Sequence, residues 1–169
     1  MGHDFKFEVV PIAEAVESEN PRENETPVVL VVDDEPLIVD TLGAILTTKG
    51  FKVLKAYNGS AALEVALERP PHLLLTDVAM PGMNGIDLAM AVSGAMPECR
   101  VLLFSAHAST LDLAKARAAG FDFPLMAKPL HPVEMLKRVA ESLRGAARNR
   151  VQRIEEPHPA LWSMTEANA

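Results

Sequence analysis

From residue 28 onward, two hydrophobic rhythms alternate along the chain. Residues 27–32 form a continuous β-branched and aliphatic run, the mark of a strand buried on both faces. Pro36 follows at a helix's first turn, where a missing N–H costs nothing. Ile38, Leu42, Ile45 and Leu46 then recur at helical spacing until Gly50 supplies a stop. The same couplet repeats: a strand over 51–56, then a helix opened by Asn58 and Gly59 and closed by Pro70 and Pro71. A third strand over 72–76 leads through the loop 77–84 to a helix over 85–96. A fourth strand spans 101–105, and Ser109 to Asp112 resembles a capping box before a helix ending at Gly120. The fifth strand lies within 123–127, where Pro124, lacking an N–H, suits an edge position. The last helix begins at Pro132 and reaches at least Leu143.

Five strands alternating with five helices predict an α/β fold with an open parallel sheet covered on both faces. Right-handed crossovers leave few windings. The expected one is the flavodoxin-like (βα)5 doubly wound sheet, strand order 2-1-3-4-5, with ligands beyond the carboxyl ends of its strands.

Charge divides the chain further. Of the net −7, residues 1–27 contribute −5 (seven acids against Lys6 and Arg22), punctuated by Pro11, Pro21 and Pro27. This segment reads as an acidic, solvated arm, although Phe5, Phe7 and Val9 alternate as a short strand or docking peptide would. Residues 28–144 form the folded domain and 145–169 an extension. A pI near 5.2 argues against nucleic acid as a partner, since such affinity comes largely from Lys and Arg. No apolar run approaches the roughly 20 residues needed to span a bilayer, and Asp4, Lys6 and Glu8 break up any signal-peptide core. The lone Cys99 precludes an intramolecular disulfide and suits a reducing compartment. These features together predict a cytoplasmic protein.

The chemistry stands at the predicted strand ends. Asp33 and Asp34 follow the first strand, Asp77 the third, Ser105 closes the fourth, and Lys128 and Pro129 follow the fifth. A parallel sheet brings all of these to one edge. Two carboxylates about 4 Å apart repel by roughly 4 kcal/mol at an effective dielectric of about 20, which a hard cation relieves. Mg²⁺ takes a few such oxygens while keeping several waters. Phosphoryl transfer to a carboxylate needs mainly positioning and charge neutralisation, for which a metal, an ammonium and a hydroxyl suffice.

The segments VVDDEP (31–36), LLTDVAMPGMNG (74–85), SA (105–106) and KP (128–129) resemble the receiver domain of two-component response regulators over about residues 28–144. The resemblance implies that Asp77 is the phosphoacceptor. It implies direct Mg²⁺ ligation by Asp34, Asp77 and the backbone carbonyl of Ala79, with Asp33 acting through water. Ser105 corresponds to the hydroxyl that senses the phosphoryl group and Lys128 to the residue that pairs with it, beside a cis Lys128–Pro129 bond. The donor would be a sensor histidine kinase or a histidine phosphotransfer protein. The response would be a protein contact or a dimer through the fourth helix, fifth strand and fifth helix. Such a chain is a switch that modifies itself rather than an enzyme.

Several positions depart from that family's pattern. Leu125 stands where receivers often carry Tyr or Phe, and the approach from Gly120 to Lys128 is one residue longer than usual. Leu125 is expected to be core; a ring shifted to Phe123 is the alternative. Ala79 and His107 occupy positions that face the attacking water in the family, and Ala79 implies slow self-hydrolysis. After Leu143 only 26 residues remain, with Arg144, Arg148, Arg150 and Arg153 in a basic stretch and Trp162 as a possible anchor. The expectation is a stand-alone regulator with an unnamed downstream protein. The rival reading is a phosphorylation-independent adaptor on the same fold. A haloacid-dehalogenase-type phosphatase would want an acid at position 79, and flavin binding would want a phosphate-cradling loop where Asp33 and Asp34 stand.

Overall fold

The computed structural model describes residues 25–106 and 110–145. The elements run β1 (Val28–Val32), α1 (Pro36–Thr48), β2 (Lys52–Ala56), α2 (Gly59–Glu68), β3 (Leu73–Asp77), α3 (Gly85–Ala95), β4 (Arg100–Ser105), α4 (Thr110–Ala118), β5 (Leu125–Ala127) and α5 (Pro132–Arg144). The sheet is parallel throughout, in the expected order β2-β1-β3-β4-β5. The acidic arm up to residue 24, Ser109 of the expected capping box, His107, and the extension from residue 146, with Arg148, Arg150, Arg153 and Trp162, lie outside the described residues.

Period-two alternation divides the strand side chains between two cores. Leu30, Val32, Leu74, Val101 and Leu103 face α2, α3 and α4, meeting Ala62, Ala66, Ile86, Leu88, Val92 and Ala116. Val29, Val31, Leu73, Leu75, Leu102, Phe104 and Met126 face α1 and α5, against Val39, Leu42, Leu46, Met135 and Val139. Every residue of β3 is buried, as a central strand covered on both faces requires.

The helix starts follow from local chemistry. Pro36 and Pro132 each stand in a first turn. The side chains of Asn58 and Asn84 accept the orphan N–H groups of Ala61 and of Ile86 and Asp87. Several predicted bounds move by a residue or more, and three of the shifts lie near the carboxylate edge or its neighbouring strands. β3 extends through Asp77, because Asp77 still pairs with Phe104 of β4, so the acid ends the strand instead of following it. β4 gains Arg100, which pairs with Leu73. β5 contracts to three residues: Pro124 lies just outside and serves the ladder only through its carbonyl, which accepts the Leu103 N–H.

Leu125 is partly buried and packs against the core on the α2–α3–α4 side, at its margin rather than within it. Phe123 is buried in that same cluster and stacks on Phe121, with centroids 5.6 Å apart.

Candidate functional site at the carboxyl edge of the sheet

β1, β3 and β5 carry the charged residues to one edge. Asp33, Asp34 and Asp77 each offer a carboxylate oxygen, all within 4.8 Å of one another. Asp33 is fully buried, Asp77 nearly so, and Asp34 exposed. Lys128 spans the first two: its Nζ donates to Asp33 Oδ2 at 2.9 Å and lies 3.3 Å from Asp77 Oδ1. The other oxygen of Asp33 accepts the Glu35 N–H at 2.9 Å, which fixes the carboxylate at the entry to α1. Lys128 is tied to the sheet by its own N–H, donated to the Ser105 carbonyl, and the Lys128–Pro129 peptide is cis.

Ser105 is buried at the end of β4, one residue beyond the register partner of Asp77. Ala79 is exposed in the loop after β3. The structure thus brings together Asp33, Asp34, Asp77 and Lys128 by measured contacts. Ser105 is joined to Lys128 through its backbone carbonyl, and Ala79 lies beside them by position in the chain.

One feature of the site went unread in the sequence. The Lys128 ammonium rests over the ring of Phe104, 5.1 Å from its centroid. Phe104 belongs to a uniformly apolar stretch, and only the strand register separates it from its neighbours.

The loop between β3 and α3 is held close to the acid. Gly82 turns the chain with φ +75°, a conformation that favours glycine. Gly85 donates its N–H to the Val78 carbonyl, and a Cβ at Gly85 would collide with the carbonyl oxygen of Asp77. The turn residues of the 77–85 motif therefore let a helix begin directly against the backbone of Asp77.

Three carboxylates against one ammonium leave two negative charges in excess within this cluster. Burial raises the Asp77 pKa; the charge of Lys128 pulls it down, the charge of Asp33 lifts it again, and the net result lies above the ordinary carboxylate range. Burial draws the Lys128 pKa down, yet its hydrogen bond to Asp33 and the charges of Asp77 and Asp33 outweigh that, and it lies above the ordinary lysine value. Among the described residues the donor set is all oxygen with excess negative charge, which fits a hard divalent cation.

Comparison with known proteins agrees with this geometry. The response regulator receiver domain family model matches residues 29–140, and the chain belongs to that family. It is 35% identical over 133 residues to the transcriptional regulatory protein KdpE of Mycobacterium tuberculosis, covering 79% of this chain and 56% of that protein. It is also 35% identical over 118 residues to the DNA-binding response regulator MtrA of Mycolicibacterium smegmatis, covering 69% and 50%. The chain thus spans about half the length of these curated relatives. Among solved structures, a CheY-like receiver domain protein from Methanospirillum hungatei superposes with a TM-score of 0.66 at 26% identity, over 70% of this chain and 94% of that one. The Vibrio cholerae chemotaxis protein CheY4 gives 0.64 at 26% identity, over 70% and 99%.

Two consequences can be measured. Gly85→Ala is expected to lower the stability of the protein by at least about 2 kcal/mol, because backbone must move to admit the Cβ. Gly94→Ala in the same helix, where nothing lies within 4 Å of an added Cβ, should instead gain up to about 1 kcal/mol from helix propensity. Urea midpoints of the two variants should move in opposite directions.

The second consequence concerns pH. The folded protein holds the Asp77 proton more tightly than the unfolded chain, so ionising Asp77 opposes folding. That penalty is absent below the unfolded carboxylate range and complete once pH exceeds the folded pKa. Each unit of elevation corresponds to about 1.4 kcal/mol. In chelator, Asp77→Asn should raise the urea midpoint at pH 7, and the gain should shrink as pH falls toward 4. A gain independent of pH would show that ionisation is not its source.

Proposed function

We propose that the protein is a phosphorylation switch in which Asp77 accepts a phosphoryl group from a histidine of a sensor kinase or phosphotransfer protein. The observation that carries this reading is the convergence of the Asp33, Asp34 and Asp77 oxygens within 4.8 Å, with Lys128 bridging Asp33 and Asp77. Family membership supports it. In the transfer, a carboxylate oxygen of Asp77 forms a bond to phosphorus as the phosphorus–nitrogen bond of the donor histidine breaks. The leaving imidazole keeps the electron pair of that bond.

Asp33, Asp34, Asp77 and the Ala79 carbonyl would hold Mg²⁺, which when bound neutralises charge on the transferring oxygens. The chain's own groups supply the rest. Lys128, kept charged by its carboxylate neighbours, pairs with one phosphoryl oxygen, and the Ser105 hydroxyl donates to another. Gly85 and Gly82 hold the loop and the start of α3 close to the Asp77 backbone. No separate substrate is turned over, so the protein is a switch rather than an enzyme. The new dianion biases the α4–β5–α5 face between two arrangements, to be read by a partner protein or a second copy. Its place is the cytoplasm, where a kinase domain draws on ATP. No helix among the described residues is long and apolar enough to cross a membrane.

The test is incubation of the full chain with Mg²⁺ and acetyl phosphate, followed by intact mass. Wild type should gain one phosphoryl group, and Asp77→Ala or added chelator should abolish the gain. Absence of an Asp77-dependent adduct would leave the phosphorylation-independent adaptor as the better reading. Ala79→Asn, by offering a side chain to orient water, should shorten the lifetime of the adduct severalfold.

A further inference from the structure

The register of the sheet places an aromatic ring inside the charged site. Asp77 and Phe104 are register partners on β3 and β4, and Phe104 pairs in turn with Met126 on β5. Side chains of partnered residues leave the same face of a sheet, so Asp77, Phe104 and Met126 form one row. Lys128, two residues beyond Met126, reaches back over that row. Its ammonium touches three things: Asp33 Oδ2, Asp77 Oδ1 and the face of Phe104, 5.1 Å from the centroid.

We propose that Phe104 is a positioning residue for Lys128, its ring acting as a cation–π seat for the ammonium during phosphoryl transfer. This rests on the reading of Asp77 as phosphoacceptor. A cation within about 6 Å of a ring centroid is attracted by the ring's quadrupole, more strongly when water is excluded. The side chain of Lys128 is 18% exposed and Phe104 is fully buried, so little solvent screens the pair.

The ring does what neither carboxylate can. A hydrogen bond to Asp33 or Asp77 holds the ammonium in one direction, and the Asp77 contact must loosen when that carboxylate becomes an acyl phosphate. Attraction to a ring face has no such directional demand. The ammonium can turn from the Asp77 oxygen to a phosphoryl oxygen while staying seated. The seat is itself fixed close to the acid, because the Phe104 carbonyl accepts the N–H of Val78, the residue after Asp77. A leucine at 104 would fill the core and offer no such attraction.

The experiment replaces Phe104 in the full chain by 4-fluoro-, 3,5-difluoro- and 3,4,5-trifluorophenylalanine, which nearly preserve shape while successively weakening the negative face of the ring. Phosphorylation by acetyl phosphate with Mg²⁺ is followed by intact mass, and thermal midpoints are measured without donor. The expected result is a stepwise fall in the maximal rate with each substitution, reaching roughly tenfold at trifluoro, with little change in the donor concentration at half-maximal rate and nearly constant thermal midpoints. Equal rates across the series, or losses that track thermal stability, would overturn the proposal.

A second measurement does not depend on phosphorylation. The ε-methylene protons of Lys128 should resonate upfield of ordinary lysine positions through the ring current of Phe104, and return in Phe104→Leu. Unshifted resonances in wild type would equally overturn it. Failure of the phosphoacceptor reading has a separate signature: no Asp77-dependent adduct forms in wild type, whatever stands at position 104.

Discussion

Parallel pairing makes every strand of this sheet end at the same edge, and the two-residue alternation of a strand sends every second side chain to the same face. Together these constraints gather charge where charge least wants to be gathered. Asp33 and Asp77 sit at adjacent strand ends, nearly or fully buried, with Asp34 close by. The arrangement holds because one ammonium, Lys128 from β5, is drawn across the edge between them. Removing that ammonium would cost far more than its contacts contribute, since the carboxylates would stay behind unneutralised in a poorly solvated place. The excess negative charge is thus a standing electrostatic debt, relieved by a cation or by protonation of Asp77.

The surroundings of Asp77 follow from that constraint. β3 is buried along its whole length, bonded to β1 through Thr76 and to β4 through Asp77, so the backbone of the acid has little room to shift and ease the repulsion. α3 starts almost in contact with the Asp77 carbonyl, which only a glycine at position 85 allows. Asn84 caps that helix through two N–H groups, so the loop between acid and helix is pinned at both ends. Rigidity of the acceptor contrasts with the supply of its counter-charge. Lys128 follows a three-residue strand that, among the described residues, is bonded to β4 alone. The fixed charge lies at the centre of the sheet and the adjustable one at its margin.

Much of this was legible in the sequence, because the signals were local. Continuous apolar runs gave the buried strands, prolines and asparagines the helix starts, and the spacing of Asp77, Pro81, Gly82 and Gly85 the loop. What was not legible depended on register. Residues 101–104 are all apolar, and nothing in that run distinguishes Phe104, which shares a row with Asp77, from Leu103, which faces the opposite core. Asp33 and Asp34 look equivalent in sequence, yet one is fully buried against Lys128 and the other exposed, because adjacent residues leave a strand end in different directions. The strand limits moved for a similar reason: Asp77 belongs to β3 through its pairing with β4, a partner 27 residues away.

The position three residues before Lys128 bears on how a phosphoryl signal would leave the site. Leu125 pairs with Leu103 and packs toward α4, on the sheet face opposite Phe104. A branched aliphatic side chain there cannot swing between a buried and an exposed ring position. On the proposed function, the backbone that carries Lys128 is a route for movement that needs no swinging ring. The ammonium turning from Asp77 toward a phosphoryl oxygen would pull on Ala127 and Met126, which among the described residues hold to the sheet along the β4 side alone. Met126 lies in the same row as Phe104 and in the same core as Met135 and Val139 of α5, so a displacement of β5 reaches that helix through the shared core. The residue that neutralises Asp77 is then also the residue through which its modification reaches the α5 surface.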